Sequence, residues 1–185
     1  MSTWPDPQLH DFVRTISAGK VAIAPAEGMY GYCADPFNPA ALKAITRLKR
    51  RDERKGLITL IGHTDQLAYL CPHPLPKACV EAIHTHWGPQ TPPVTLILPA
   101  LPTLPILLTG GRETLAIRLP ACPYMQEYLR AAGGPLVSTS CNLSGEPPAT
   151  QACQLPAETP ALSLPQPLSG MPSRIFNPQN GQWLR

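Results

Sequence analysis

Leu115-Ala-Ile-Arg-Leu-Pro-Ala-Cys-Pro-Tyr-Met-Gln-Glu-Tyr-Leu-Arg-Ala-Ala-Gly-Gly-Pro-Leu-Val-Ser-Thr139 reads as strand, helix, strand. Leu115–Leu119 is an apolar run of strand length carrying one charge, Arg118. Pro123 suits the start of a helix, because the N–H it lacks would have no intrahelical partner there. Met125, Tyr128 and Leu129 recur three and four residues apart and so share an inward face. Gly133-Gly134 stops the helix, and Leu136–Thr139 is a second strand running into a polar loop.

The same alternation continues on both sides. Upstream, Leu9, Phe12, Val13 and Ile16 predict a helix closed near Gly19, and Val21–Ala24 a buried strand stopped by Pro25. Asn38 caps a helix with Pro39 at its first position and Leu42, Ile45 and Leu48 on its apolar side. Leu57–Ile61 is a strand, and Thr64 caps a short helix through Leu70. Pro76 opens a helix with Cys79, Val80, Ile83 and Trp87 on one face, and Val94–Leu98 is another strand. Downstream, residues 151–170 are proline-rich and read as loop. Arg174–Phe176 and Gln182–Leu184 form a final pair around Asn180-Gly181. This order predicts a single α/β domain over residues 1–185 with a mixed sheet.

Composition narrows the function classes. The chain has 185 residues, 43% hydrophobic and 15% charged, so it is neither a polyelectrolyte nor too apolar-poor to fold. No window approaches the ~18 apolar residues of a membrane span. Met1–Pro7 lacks the basic-then-apolar pattern of a secretory signal, which predicts a cytoplasmic protein with no membrane partner. Twenty-five prolines fall between the apolar segments and act as rigid loops. Six cysteines without a CxxC pair read as reduced, mostly buried thiols. The spacing of Cys71, His73, Cys79, His84 and His86 matches no common zinc pattern.

Polar chemistry concentrates in three segments that border strands. The first is Pro25-Ala-Glu-Gly-Met-Tyr-Gly31, whose glycines are equally accounted for by turn geometry alone. The second is the basic run Arg47–Lys55, which holds six of the 15 basic residues. It reads either as a solvated helix end or as a phosphate site. Within it, Lys49 and Arg51 would project together if the chain left the helix extended. The third is Ser138-Thr-Ser-Cys-Asn-Leu-Ser-Gly145, either a capped turn or a set of small donors for phosphates and ribose.

In this order the three segments resemble the YrdC/TsaC family of threonylcarbamoyl-AMP synthases. Further likenesses are a Gly-Pro-x-Thr-like approach to a strand (Gly88 to Thr95), Arg118-Leu-Pro120, and Pro172-Ser-Arg-Ile175. The resemblance implies a strongly twisted α/β sheet with a concave, positive face and the length of the short bacterial form. It implies that L-threonine, bicarbonate and ATP give threonylcarbamoyl-AMP and pyrophosphate. A TsaD-type transferase would then use the product on a tRNA adenosine beside the anticodon. Lys49 and Arg51 match the family's Lys-x-Arg pair and are the expected phosphate-holding, catalytic cations. Ser140 and Asn142 match nucleotide-contacting positions, with Arg185 a further one. Arg118 matches the cation for threonine's carboxylate, with Ser138 and Ser173 as further substrate contacts. Carboxylates are sparse nearby, so Mg²⁺ would be held mainly by the ATP phosphates and water.

The chain departs from the family pattern in the first loop, where Ala26-Glu27-Gly28 stands for Thr-Asp/Glu-Thr and both hydroxyls are missing. That departure bears on threonine binding. Cys141 replaces an alanine of similar size. Two other readings compete with the enzyme: a tRNA- or double-stranded-RNA-binding module, and a relative of the same fold with another acceptor. Low aromatic content and a net charge of only +3 weigh against the RNA module.

Overall fold

The computed structural model describes residues 3–88 and 91–185. Pro89 and Gln90, inside the Gly88–Thr95 element, lie outside the described residues. Thirteen main elements follow in the order α1 (Asp6–Ser17), β1 (Ala22–Pro25), β2 (Tyr30–Ala34), α2 (Pro39–Leu48), β3 (Ile58–Leu60), α3 (Lys77–His86), β4 (Val94–Pro99), α4 (Ile106–Thr109), β5 (Thr114–Arg118), α5 (Pro123–Ala132), β6 (Leu136–Ser140), β7 (Arg174–Asn177) and β8 (Gln182–Trp183). The strands form one mixed sheet in the order β1-β2-β6-β3-β5-β4-β7-β8. β3 is parallel to β5 but antiparallel to β6, so the two strands flanking α5 run in opposite directions with β3 between them.

Both faces of the sheet are covered, which explains why its central strands carry so few polar residues. Phe12 and Ile16 of α1 and Met125, Tyr128 and Leu129 of α5 pack on one face with Ala22, Ala24 and Cys33. Phe12 meets Tyr128 edge-on with ring centroids 5.6 Å apart. Leu42 and Ile45 of α2, Cys79 of α3 and Leu108 of α4 cover the other face with Ile23, Tyr32, Ile117 and Val137. Successive strand residues therefore feed alternate cores, as the pleat requires.

Several expectations need correction. β2 lies where the sequence reads as loop, and all five of its residues are buried. Leu48 and Val80, placed inward by helical spacing, are exposed instead. His63 rather than Thr64 caps the next turn, its ring nitrogen accepting from the Asp65 N–H, and the segment Thr64–Tyr69 is a 3-10 helix. Residues 151–170 contain little regular structure but are stitched to the outer edge of β1. Ile23 donates to the Pro160 carbonyl and accepts from the Leu162 N–H, and Leu162 is fully buried. The stretch thus covers a sheet edge that would otherwise present unpaired backbone groups.

Cys71 and Cys79 are core residues, and His86 packs edge-on against Phe176 and Trp183. Among the described residues no group of three His, Cys, Asp or Glu is placed to hold a metal ion. No helix among them is long and apolar enough to cross a membrane.

Candidate active site

The end of α2 and the loop after β6 form one knot. Asn38 begins α2 by accepting from the Ala40 and Ala41 N–H groups, and the helix runs to Leu48. Lys49 keeps a near-helical backbone, and Arg50 then turns into the left-handed region at φ 45°. The chain therefore does not leave the helix extended, and Lys49 and Arg51 do not project side by side. Lys49 is buried, 1% exposed, and points inward. Its Nζ donates to the Ser140 carbonyl, to the Asn142 carbonyl at 3.0 Å, to Asn142 Oδ1 at 2.7 Å and to Ser140 Oγ at 3.3 Å. Ser140 Oγ donates to the same Asn142 Oδ1 at 2.7 Å, and the Ser144 N–H returns to the Lys49 carbonyl at 2.9 Å. Every acceptor of this ammonium is a neutral oxygen. Burial, with the Arg51 charge adding to it, pulls Lys49 down to about 8.

Arg51 turns the other way and lines a cleft of about 150 Å³ together with Glu27, Gly28, Arg118, Ser138, Ser140, Ser173 and Arg185. Strand register assembles it. Leu60 stands opposite Arg118 and Ile58 opposite Ser138, so these four side chains share the face on which α1 and α5 pack. Gly31 on β2 makes room for one of them: a Cβ there would lie 2.9 Å from Ser138 Oγ. Arg51 is steadied by donating from Nε and Nη2 to the Gly56 carbonyl at 3.3 and 3.0 Å. Arg112 braces the same loop through the Arg54 and Lys55 carbonyls, both at 2.8 Å. Arg185 Nε donates to the Ser173 carbonyl at 3.0 Å, and Ser173 Oγ shares a hydrogen bond with buried Thr95.

Arg118 ends β5 at the floor of the cleft and is ion-paired with Glu27. Burial lowers its guanidinium to about 10; Tyr128 and Tyr124 counter this, while Arg185 adds to the lowering. Three arginines and a single carboxylate thus line one cavity, which favours an anionic ligand. Of the candidate residues, Arg51, Arg118, Ser138, Ser140, Ser173 and Arg185 border the cleft. Lys49 sits behind Ser140, and Asn142 opens toward a separate groove beside Tyr32 and Pro147. Glu27 and Arg112 were given no role by the sequence reading. Two signals mark Glu27: it is the sole acid in the loop from Pro25 to Gly31, and it stands at the Asp/Glu position of the family's first-loop pattern.

Gly28 has a spatial explanation. The Gly170 N–H donates to its carbonyl at 2.7 Å, and a Cβ on Gly28 would lie 1.8 Å from the Met171 carbonyl oxygen. Backbone of residues 170–172 therefore fills the space where the family pattern places a threonine side chain. Gly28→Ala is expected to push this segment off the cleft and to cost about 1–3 kcal/mol. Thermal unfolding should show a melting temperature roughly 2–12 °C lower. An unchanged melting curve would mean that the segment yields freely.

Comparison with known proteins agrees with this fold. The Sua5/YciO/YrdC family model, described as telomere recombination, matches residues 14–177. The threonylcarbamoyl-AMP synthase of Alkalilimnicola ehrlichii is 39% identical over 142 residues, covering 76% of this chain and 70% of that protein. The protein of the same name from Halorhodospira halophila is 42% identical over 127 residues, covering 68% and 64%. The crystal structure of P. abyssi Sua5 complexed with L-threonine superposes with a TM-score of 0.82 at 26% identity, over 94% of this chain. This chain spans 51% of that one. With most of its length matched by the family model and its sheet shared with Sua5, the chain belongs to the Sua5/YciO/YrdC family.

Proposed function

We propose that this chain is an L-threonylcarbamoyladenylate synthase, which joins L-threonine, bicarbonate and ATP into threonylcarbamoyl-AMP with release of pyrophosphate and water. The observation that carries the reading is the meeting of the Lys49–Ser140–Asn142 knot with the cleft lined by Arg51, Arg118 and Arg185. The names of the curated relatives support it, as does the threonine bound by P. abyssi Sua5.

In the adenylation step a carbamate oxygen attacks the α-phosphorus of ATP and pyrophosphate leaves. Charge builds on oxygens that fixed cations can stabilise without reorganising. Arg51 holds phosphate at the cleft wall, and its planar fork suits two oxygens at once. Lys49 supplies a buried positive charge behind Ser140 and fixes that residue and Asn142 for nucleotide contact. Arg118 takes the threonine carboxylate, Ser138 and Ser173 offer hydroxyls to the same substrate, and Arg185 reaches the nucleotide. Any Mg²⁺ would be held mainly by the ATP phosphates and water, since Glu27 is the one carboxylate among the described cleft residues and it faces Arg118. The product passes to a TsaD-type transferase acting on tRNA, in the cytoplasm.

Purified protein given ATP, threonine and bicarbonate should release pyrophosphate, and omission of any one should reduce release to background. Equal release without threonine would refute the assignment.

A further inference from the structure

On the reading that Arg185 contacts the nucleotide, we infer that Trp183 is its positioning residue: an aromatic clamp behind β8 holds that strand so that Arg185 is delivered to the cleft. Strand register separates the two side chains. Trp183 stands opposite Phe176, which in turn stands opposite Leu96, and its ring joins Phe176 and His86 of α3 on the face away from the cleft. Ring centroids lie 4.8 Å apart for Phe176 and Trp183, 5.2 Å for His86 and Phe176, and 5.5 Å for His86 and Trp183. Exposed Arg174 closes the cluster, its guanidinium carbon 3.7 Å from the centre of the Trp183 ring. Contacts of both kinds, ring on ring and cation on ring, add to simple burial. Burial, with the Arg174 charge adding to it, holds the His86 ring below its ordinary value, so the ring is neutral beside that guanidinium at neutral pH.

Beyond Trp183 the pairing breaks in a way that redirects the chain. The Leu184 N–H donates to the Ile175 carbonyl at 2.8 Å, and the Ile175 N–H donates to the Arg185 carbonyl at 3.0 Å, so two residues oppose one. Regular alternation would return Arg185 to the side of Trp183. The bulge instead keeps it on the opposite side, where it borders the cleft; bulges often re-aim a side chain in this way. Arg185 then donates from Nε to the Ser173 carbonyl at 3.0 Å, which fixes one corner of its fork. β8 itself pairs only through Gln182 and Trp183, too short a strand to be held by its backbone alone. Trp183 is the large side chain of that strand, and at 41% exposed more than half of its surface is covered. The placement of Arg185 thus depends on contacts made on the other face of the sheet.

The test is steady-state kinetics of the full chain with ATP varied, in the wild-type and Arg185→Ala backgrounds. Trp183→Ala should raise the KM for ATP roughly tenfold with kcat within about threefold, and Trp183→Phe, which keeps an aromatic ring, should recover most of that loss. In the Arg185→Ala background, Trp183→Ala should move the KM for ATP by less than about twofold further, because a residue that acts only through Arg185 has nothing left to position. Should Trp183→Ala fail to fold, Arg174→Gln removes only the stacked cation from an exposed side chain. That variant should raise the same KM about two- to fivefold and be equally silent without Arg185. An unchanged KM in Trp183→Ala, or an equal rise in both backgrounds, overturns the inference, and the second outcome assigns the cluster to stability alone. In either case threonine-dependent pyrophosphate release by the wild-type protein leaves the proposed activity standing. If Arg185→Ala leaves the KM for ATP unaltered, the nucleotide role of Arg185 falls and this inference with it. Absence of threonine-dependent release from the wild-type protein removes the activity and this inference together.

Discussion

Replacing Lys49 by methionine is expected to lower pyrophosphate release roughly a hundred- to thousandfold, because the buried charge behind Ser140 and its hold on Ser140 and Asn142 are lost together. The same change should loosen the loop from Ser140 to Glu146. The ammonium serves two carbonyls, a side-chain amide and a hydroxyl in that loop, all in a site shielded from water. An orphaned buried acceptor costs about 1–3 kcal/mol. Partial relief by water and loop movement leaves a net loss of about 3 kcal/mol, read as a melting temperature roughly 6–12 °C lower. Arg51→Ala, by contrast, should leave the fold intact, because it removes only the two hydrogen bonds from Arg51 to the Gly56 carbonyl.

The pH profile tests the same residue. Lys49 titrates at about 8 in the folded protein, below the ordinary value of roughly 10.4. Its charge is present below that pH and lost above it, so kcat/KM for ATP should fall as the pH rises through about 8. Between these two values the unfolded chain holds the extra proton. Stability should therefore rise with pH across that window, opposite in sign to activity. Both dependences should vanish in the methionine variant. A loss of rate on that scale with no change in melting would show that the knot has no structural role, and unchanged kinetics would remove Lys49 from the reaction.

Arg118→Lys is expected to raise the KM for threonine roughly ten- to hundredfold with little change in the KM for ATP. The substitution keeps a positive charge opposite Glu27 but replaces a planar two-point fork by a single centre, so the loss should concentrate on the carboxylate. Arg118→Ala is a poorer probe. It would strand Glu27 in the cleft without its cation, at about 3–5 kcal/mol of stability. Steady-state kinetics with each substrate varied in turn separates the possibilities. An unchanged threonine KM, or an equal rise for both substrates, would show that Arg118 does not read the carboxylate.

The parts of the fold that were legible in the chain are those with local causes. Asn38-Pro39 starts α2 because a side-chain oxygen satisfies nearby N–H groups, and Gly133 ends α5 in a left-handed turn. Met125, Tyr128 and Leu129 face a core because a helix repeats every 3.6 residues. β2 escaped the same reading for a definite reason. Tyr30-Gly-Tyr-Cys-Ala34 is buried throughout, so it shows no alternation, and it holds no β-branched residue. Leu48 and Val80 were misplaced because periodicity locates a face of the helix but does not say how wide a strip the sheet covers.

Order along the chain was enough to identify the polar segments, since the basic run, the hydroxyl-rich loop and Arg118 each sit where a helix or strand ends. Only the packed chain decided what those side chains do. Lys49 and Ser140 stand 91 residues apart in sequence, and folding makes the ammonium a hidden support rather than a cleft cation. Glu27 meets Arg118 because β5 ends beside the loop that α5 holds in place. Helix caps and periodicity depend on neighbours a few residues away, whereas an ion pair depends on distance in space. The first kind of information is written in the order of residues, and the second exists only once the strands have found their register.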